Sequence, residues 1–111
     1  MKIVYNKLLP FNGYKAMTLW PFILVRKGMV MTEADINHEQ IHGEQQKELI
    51  VVLFYLWYVV EYVVKLVATW SHRKAYRSIS FEQEAYRFEG DLDYRRRRRR
   101  YYWIRFVFTV E

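Results

Sequence analysis

The chain contains no cysteine. A disulfide framework is therefore excluded, and so is any metal site built on thiolates, the usual donors of structural zinc. A metal ion here must be held by histidine, aspartate or glutamate, donors that suit catalytic zinc better. Proline and glycine are scarce, two and four in 111 residues, and neither occurs from Glu44 to Glu89. That stretch lacks turn punctuation and reads as helix on length. The N-terminus lacks the continuous apolar core and small-residue cleavage site of a signal peptide, because Lys2, Lys7 and Lys15 are interleaved with Pro10, Asn12 and Gly13. A cytoplasmic location is expected, with peripheral attachment to the inner face of the membrane as an option. Acidic residues are the minority, 12 against 18 Lys and Arg, for a net charge of +6.

What is abundant is apolar and aromatic. The hydrophobic fraction is 52% and the aromatic fraction 19%, which suits aromatic packing, an interface or a membrane surface. The length predicts one domain over residues 1–111, with 95–111 as a basic and aromatic C-terminal extension. Met1–Tyr5 is short and β-prone, and Pro10-Phe11-Asn12-Gly13 is a turn signal. Met17–Lys27 reads as a strand around Phe22–Val25, with Pro21 marking an edge position or a bulge. Thr32 can cap a helix, with Asp35 in the capping-box position, and Ser80 with Gln83 repeats that pattern downstream. The expected class is α+β, a small N-terminal antiparallel sheet or hairpin packed on two helices.

The first of those helices carries His38-Glu39-Gln40-Ile41-His42. Residues four apart lie one turn apart on one helix face. His38 and His42 can thus present imidazole nitrogens to one metal ion, with Glu39 beside them as a general base toward water on that ion. The pattern predicts zinc as cofactor.

Two histidines do not complete a catalytic zinc site. At Ser80-Phe81-Glu82-Gln83-Glu84-Ala85-Tyr86 the chain resembles the gluzincins, zinc peptidases with a His-Glu-x-x-His helix and a downstream glutamate helix. The HtpX-like membrane branch has roughly Glu-x-x-Ala-Asp there, and this chain has Tyr86 in place of the Asp. The order of strand, active helix and glutamate helix within about 100 residues looks like a minimal gluzincin, or minigluzincin, over Phe22 to Leu92. The resemblance implies a zincin-like core, Glu82 as third ligand with Glu84 as the alternative, and peptide or protein substrates. It also implies that the free edge of the strand above the active helix can hold an extended peptide. Tyr86 and His72 are candidates for stabilising an oxyanion, although His72 also reads as a plain surface residue. Tyr86 leaves the usual carboxylate support of a ligand histidine without an obvious source.

Distance imposes a condition. A straight helix from His42 to Ser71 would be about 44 Å long, whereas the residues from Ser71 to Glu82 span at most about 37 Å. Either the chain bends, with Tyr58–Tyr62 the expected place, or Glu82 serves a partner chain, or it is not a ligand. Leu49–Ala68 is apolar, with charge only at Glu61 and Lys65. Its expected uses are a buried core, a homodimer face through 49–70 or a monotopic membrane contact, rather than a span. Arg95–Arg100 reads first as a solvated helix end, second as a contact for an anionic membrane. Nucleic-acid binding is the weakest reading, because no such fold signature accompanies the run. Two functions follow: a zinc metallopeptidase acting through Glu39, or a non-catalytic membrane-surface or interaction module with a structural or vestigial metal site.

Overall fold

The computed structural model describes residues 1–10 and 13–111. Three strands come first: β1 (Lys2–Asn6), β2 (Ala16–Leu19) and β3 (Phe22–Arg26). Four helices follow: α1 (Glu33–Thr69), α2 (His72–Ser78), α3 (Ser80–Phe88) and α4 (Tyr94–Arg97), and a 3₁₀ turn, η1 (Tyr102–Phe106), ends the chain. The α+β class is therefore met. The sheet itself departs from the expected antiparallel one. It is mixed, in the order β1-β3-β2, with β1 parallel to β3 and β2 antiparallel to it. The single strand expected over Met17–Lys27 is two, because Pro21 cannot donate to a ladder and falls in the turn between β2 and β3. Asn6, Lys15 and Arg26 lie at one end of the sheet, so β2 runs antiparallel to both other strands, and β3, between them, runs parallel to β1. Of the expected turn at Pro10–Gly13, Phe11 and Asn12 lie outside the described residues.

Helix α1 begins as its sequence predicts. The Thr32 hydroxyl accepts from the Asp35 N–H, and the Asp35 carboxylate accepts from the Thr32 N–H, each at 3.0 Å. Lys15 fixes the same carboxylate at 2.6 Å. The required bend exists, but at Ile50 rather than at Tyr58–Tyr62. Ile50 has φ 57° and ψ 155° and divides α1 into a proximal arm, 33–49, and a distal arm, 51–69. Glu48, just before the break, is held by two Arg98 bonds of 3.1 Å and by the Tyr101 N–H. The bend is thus placed by tertiary contacts rather than by a helix-breaking residue.

Beyond the bend the distal arm returns over α3. Phe54 stacks on Phe81 at 4.3 Å, and both join Ile79 and Trp103 in one buried cluster. Ile41, Ala85 and Tyr94 form a second. Trp103 and Phe106, in the segment read as an extension, are buried against this core. Among the described residues α1 is the one helix long and apolar enough to cross a membrane by length and composition, yet few residues of that apolar stretch are buried. Such length and composition are shared by membrane-associated helices and by core helices of soluble proteins, the latter mostly buried.

Arg98 overturns the reading of the arginine run as simply solvated. Helix α4 ends at Arg97, Arg98 turns to extended backbone, and its side chain is 5% exposed between Glu48 and Glu84. A guanidinium with five forked donors can serve two carboxylates at once.

Candidate metal centre

The proximal arm of α1 turns His38 and His42 toward the start of α3, where Glu82 points back. Glu82 Oε1 lies 3.1 Å from His38 Nε2 and 3.2 Å from His42 Nε2. One potential ligand atom from each of the three residues falls within 4.8 Å of the others, and all three residues are buried. Glu82, not Glu84, therefore joins the histidines. Glu84 lies on the far side of α3, where it accepts from Gln45 Nε2 (2.9 Å), the Tyr94 hydroxyl (2.5 Å) and Arg98 Nε (2.6 Å).

The surroundings fix which nitrogen of each imidazole faces inward. His38 Nδ1 is 2.7 Å from Glu89 Oε1, an acceptor, so Nδ1 carries the proton and Nε2 the lone pair in the neutral ring. His42 Nδ1 is 2.7 Å from Gln45 Oε1. The orientation of that amide is set from behind, because Gln45 Nε2 donates to the Phe81 carbonyl and to Glu84. The Tyr58 hydroxyl donates to Glu82 Oε2 at 2.7 Å, leaving Oε1 for the centre. Two imidazoles and a carboxylate, each oriented by a hydrogen bond from outside, fit a divalent ion of the zinc type. The identity of the ion is not determined by this donor set.

Charge follows from the same geometry. In the metal-free protein, burial works against the His38 imidazolium, but hydrogen bonds to Glu82 and Glu89 outweigh it and hold its pKa up at about 10. Burial likewise opposes charge on His42, and Glu82 raises its pKa above the ordinary value. Glu82 is buried too, yet the two histidines hold it well below the usual carboxylate range.

Glu39 is buried one residue from His38, and its side chain is held by the sheet. The Thr18 hydroxyl lies 2.8 Å from Glu39 Oε1 and 2.9 Å from its carbonyl oxygen. Thr18 is in turn tied down by the Tyr55 hydroxyl and Gln46 Nε2, which donate to its carbonyl at 2.5 and 2.8 Å. Two clefts meet at Glu39, with Tyr14, Ala16 and Tyr76 also shared between them. The larger, about 380 Å³, contains His42 and Glu82 and is walled by aromatic rings including Phe54, Tyr55 and Tyr62. The smaller is more polar and contains His38, Lys15, Asp35 and Glu89.

The candidates for oxyanion support part company here. Tyr86 packs edge-on against the His38 ring at 4.5 Å, under the Arg77 guanidinium at 3.8 Å. His72 lies outside the ligand cluster, in the wall of the aromatic cleft, between the Tyr14 hydroxyl at 3.0 Å and the Tyr62 hydroxyl at 2.8 Å. Glu89 supplies the carboxylate support of His38 that Tyr86 cannot. Its sequence signal was available, since Glu89 lies two turns after Glu82 on the same helix face. Gln45, three residues after His42, was legible in the same way. Tyr58 and Thr18 were not, because only the bend and the sheet register bring them in.

No family model, no curated protein and no solved structure matches this chain.

Proposed function

We propose that the protein is a zinc-dependent peptide hydrolase of minimal gluzincin type, in which His38, His42 and Glu82 hold the metal. The observation that carries this reading is the convergence of the two Nε2 atoms on Glu82 Oε1 while both Nδ1 atoms are engaged from behind. When bound, the ion would supply Lewis acidity toward a peptide carbonyl and a water. Glu39 takes the proton of the attacking water and passes it to the leaving amine. Thr18 anchors one of its carboxylate oxygens and so orients the other toward the clefts. Burial and nearby Glu82 push the Tyr76 hydroxyl far above its ordinary pKa, so it remains a donor available to a carbonyl oxygen in the cleft.

The sheet supports peptide rather than small-molecule chemistry. The Arg26 N–H bonds to the Lys15 carbonyl, so in the antiparallel register Met17 also pairs inward and Ala16 points its backbone groups away from β3. The edge is closed at Thr18, whose carbonyl accepts from Gln46 and Tyr55, but at Ala16, which lines both clefts, an extended peptide can pair with it. The aromatic walls of the larger cleft favour an apolar substrate side chain there. The test is Glu39→Gln, which should retain stoichiometric zinc and lose hydrolysis of a peptide library. A fully active variant would overturn the mechanism.

A further inference from the structure

The distal arm of α1 is inside out. Its two charges, Glu61 and Lys65, are turned inward and buried at 6% and 4% exposure, 3.2 Å apart. Tyr55, Tyr58 and Tyr62 also face the protein through their hydroxyl hydrogen bonds. Outward, every exposed residue from Val52 to Trp70 is apolar. A helix on a water-facing surface has the opposite arrangement, with its polar side out. The exposed face is about 27 Å long at the helical rise, well beyond the isolated surface hydrophobes that need no explanation.

The C-terminal segment widens this surface. Trp103 packs on Trp57 at 5.6 Å between ring centres, and Lys65 donates to the Thr109 carbonyl at 2.7 Å, so residues 103–109 run alongside the arm. Ile104, Val110 and the almost fully exposed Phe108 lie on that segment. Both ends of the arm are basic. Tyr101, bonded to Glu48 at the bend, brings the end of the arginine run there. Arg73 and Lys74 follow Trp70 at the other end and are exposed. Arg95, Arg99, Arg100 and Arg105 are exposed and make no ion pair among the described residues.

We propose that this face docks the protein on an anionic phospholipid surface, the distal arm lying in the plane of the interface with its valine face in the acyl boundary. Charge decides between lipid and a second copy of the chain. Pairing two arms, parallel or antiparallel, sets basic end against basic end, whereas an anionic surface complements both ends together. The arm does not span the bilayer, because its other face packs on α2 and α3 and carries the buried Glu61–Lys65 pair. Trp70 and Tyr101, both exposed, sit at the two ends of the face as aromatic anchors suited to the headgroup level. Val59 belongs to this face and also lines the aromatic cleft, so docking sets that cleft beside the bilayer surface.

The test is co-sedimentation of the purified full chain with phosphatidylcholine vesicles, with and without phosphatidylglycerol. Binding should be strong only with the anionic lipid and should weaken with salt. Val60→Glu with Val64→Glu, both at exposed positions, should lower partitioning by about tenfold or more at unchanged circular dichroism. Arg99→Glu with Arg100→Glu should lower binding to the anionic vesicles without unfolding the chain. No sedimentation with anionic vesicles overturns the proposal. So does a stable dimer in solution that the valine double variant dissociates, since that assigns the face to a second copy.

Discussion

Glu61 caps the helix that carries Glu82. Its carboxylate accepts from the Ser80 N–H at 2.6 Å and from the Ser80 hydroxyl at 2.7 Å. The expected capping box of Ser80 with Gln83 is not formed, because Ser80 donates to Glu61 and Gln83 Nε2 bonds the Ser78 and Thr109 carbonyls. A carboxylate at a helix start satisfies orphan N–H groups and complements the dipole. Here it comes from the distal arm, so the apolar stretch orients the candidate ligand Glu82 through its one acidic residue. Glu61→Leu should destabilise the protein by about 3–5 kcal/mol, since it leaves Lys65 buried without its counter-charge. Denaturant unfolding checks this, and an unchanged midpoint would remove Glu61 from the account.

Support of the histidines should be separable from packing against them. Glu89→Ala should weaken zinc binding by about 10–100-fold, because the His38 ring loses the acceptor that fixes its tautomer. Tyr86→Phe keeps the ring packing and should leave the affinity nearly unchanged. Competition with a chromogenic chelator measures both, and a larger loss for Tyr86→Phe would reverse the assignment of roles.

The metal-free protein should lose stability toward alkaline pH. With the folded pKa of His38 raised to about 10, the folded state holds a proton that the unfolded chain releases near 6.5. The stabilisation is full below that lower value and disappears as pH rises through about 10. Glu82, held low, acts in the opposite sense and loses its contribution only in strong acid. Zinc needs neutral imidazole, so binding near neutrality should release protons. Calorimetric titration in two buffers of different ionisation enthalpy measures that release, and buffer-independent heats would contradict it.

The arginine run should be unequal. Arg98→Ala removes the guanidinium buried between Glu48 and Glu84 and should cost about 3–5 kcal/mol. Arg99→Ala, at an exposed position, should stay within about 0.5 kcal/mol of the parent. Equal unfolding midpoints for the two variants would refute the distinction.

Ile50 adopts a positive φ, a conformation in which a β-branched residue is strained. Ile50→Gly should therefore hold or raise stability, by up to about 1 kcal/mol, despite the flexibility of glycine elsewhere. Ile50→Pro, locked near −65°, cannot make the turn and should abolish zinc binding. If both variants bind zinc like the parent, the bend is not needed for the site.

Local rules carried much of this structure. Thr32 and Asp35 marked the start of α1, the His38–His42 spacing marked its ligand face, and chain length alone demanded a bend before Glu82 could return. What escaped was set by distant partners. Nothing in Leu49-Ile50-Val51 announces a break, because Glu48 is held by Arg98 and Tyr101 from a segment some fifty residues away. The identity of the arginine that turns inward was hidden by six identical neighbours. Parallel pairing of β1 was hidden because strand direction is a property of the connection, and residues 7–15 carry no pattern that specifies it.

The chain that has no cysteine can still be cross-linked. His42 and Glu82 are 40 residues apart in sequence, with the bend, the distal arm and α2 all inside the loop they close. An ion shared by them would act as a removable staple, stabilising the closed loop to the extent that it binds the folded chain and not the unfolded one. Such a staple opens to a chelator rather than to a reductant. Folding of the loop, and with it the outward valine face, would then be tied to metal supply instead of to redox state.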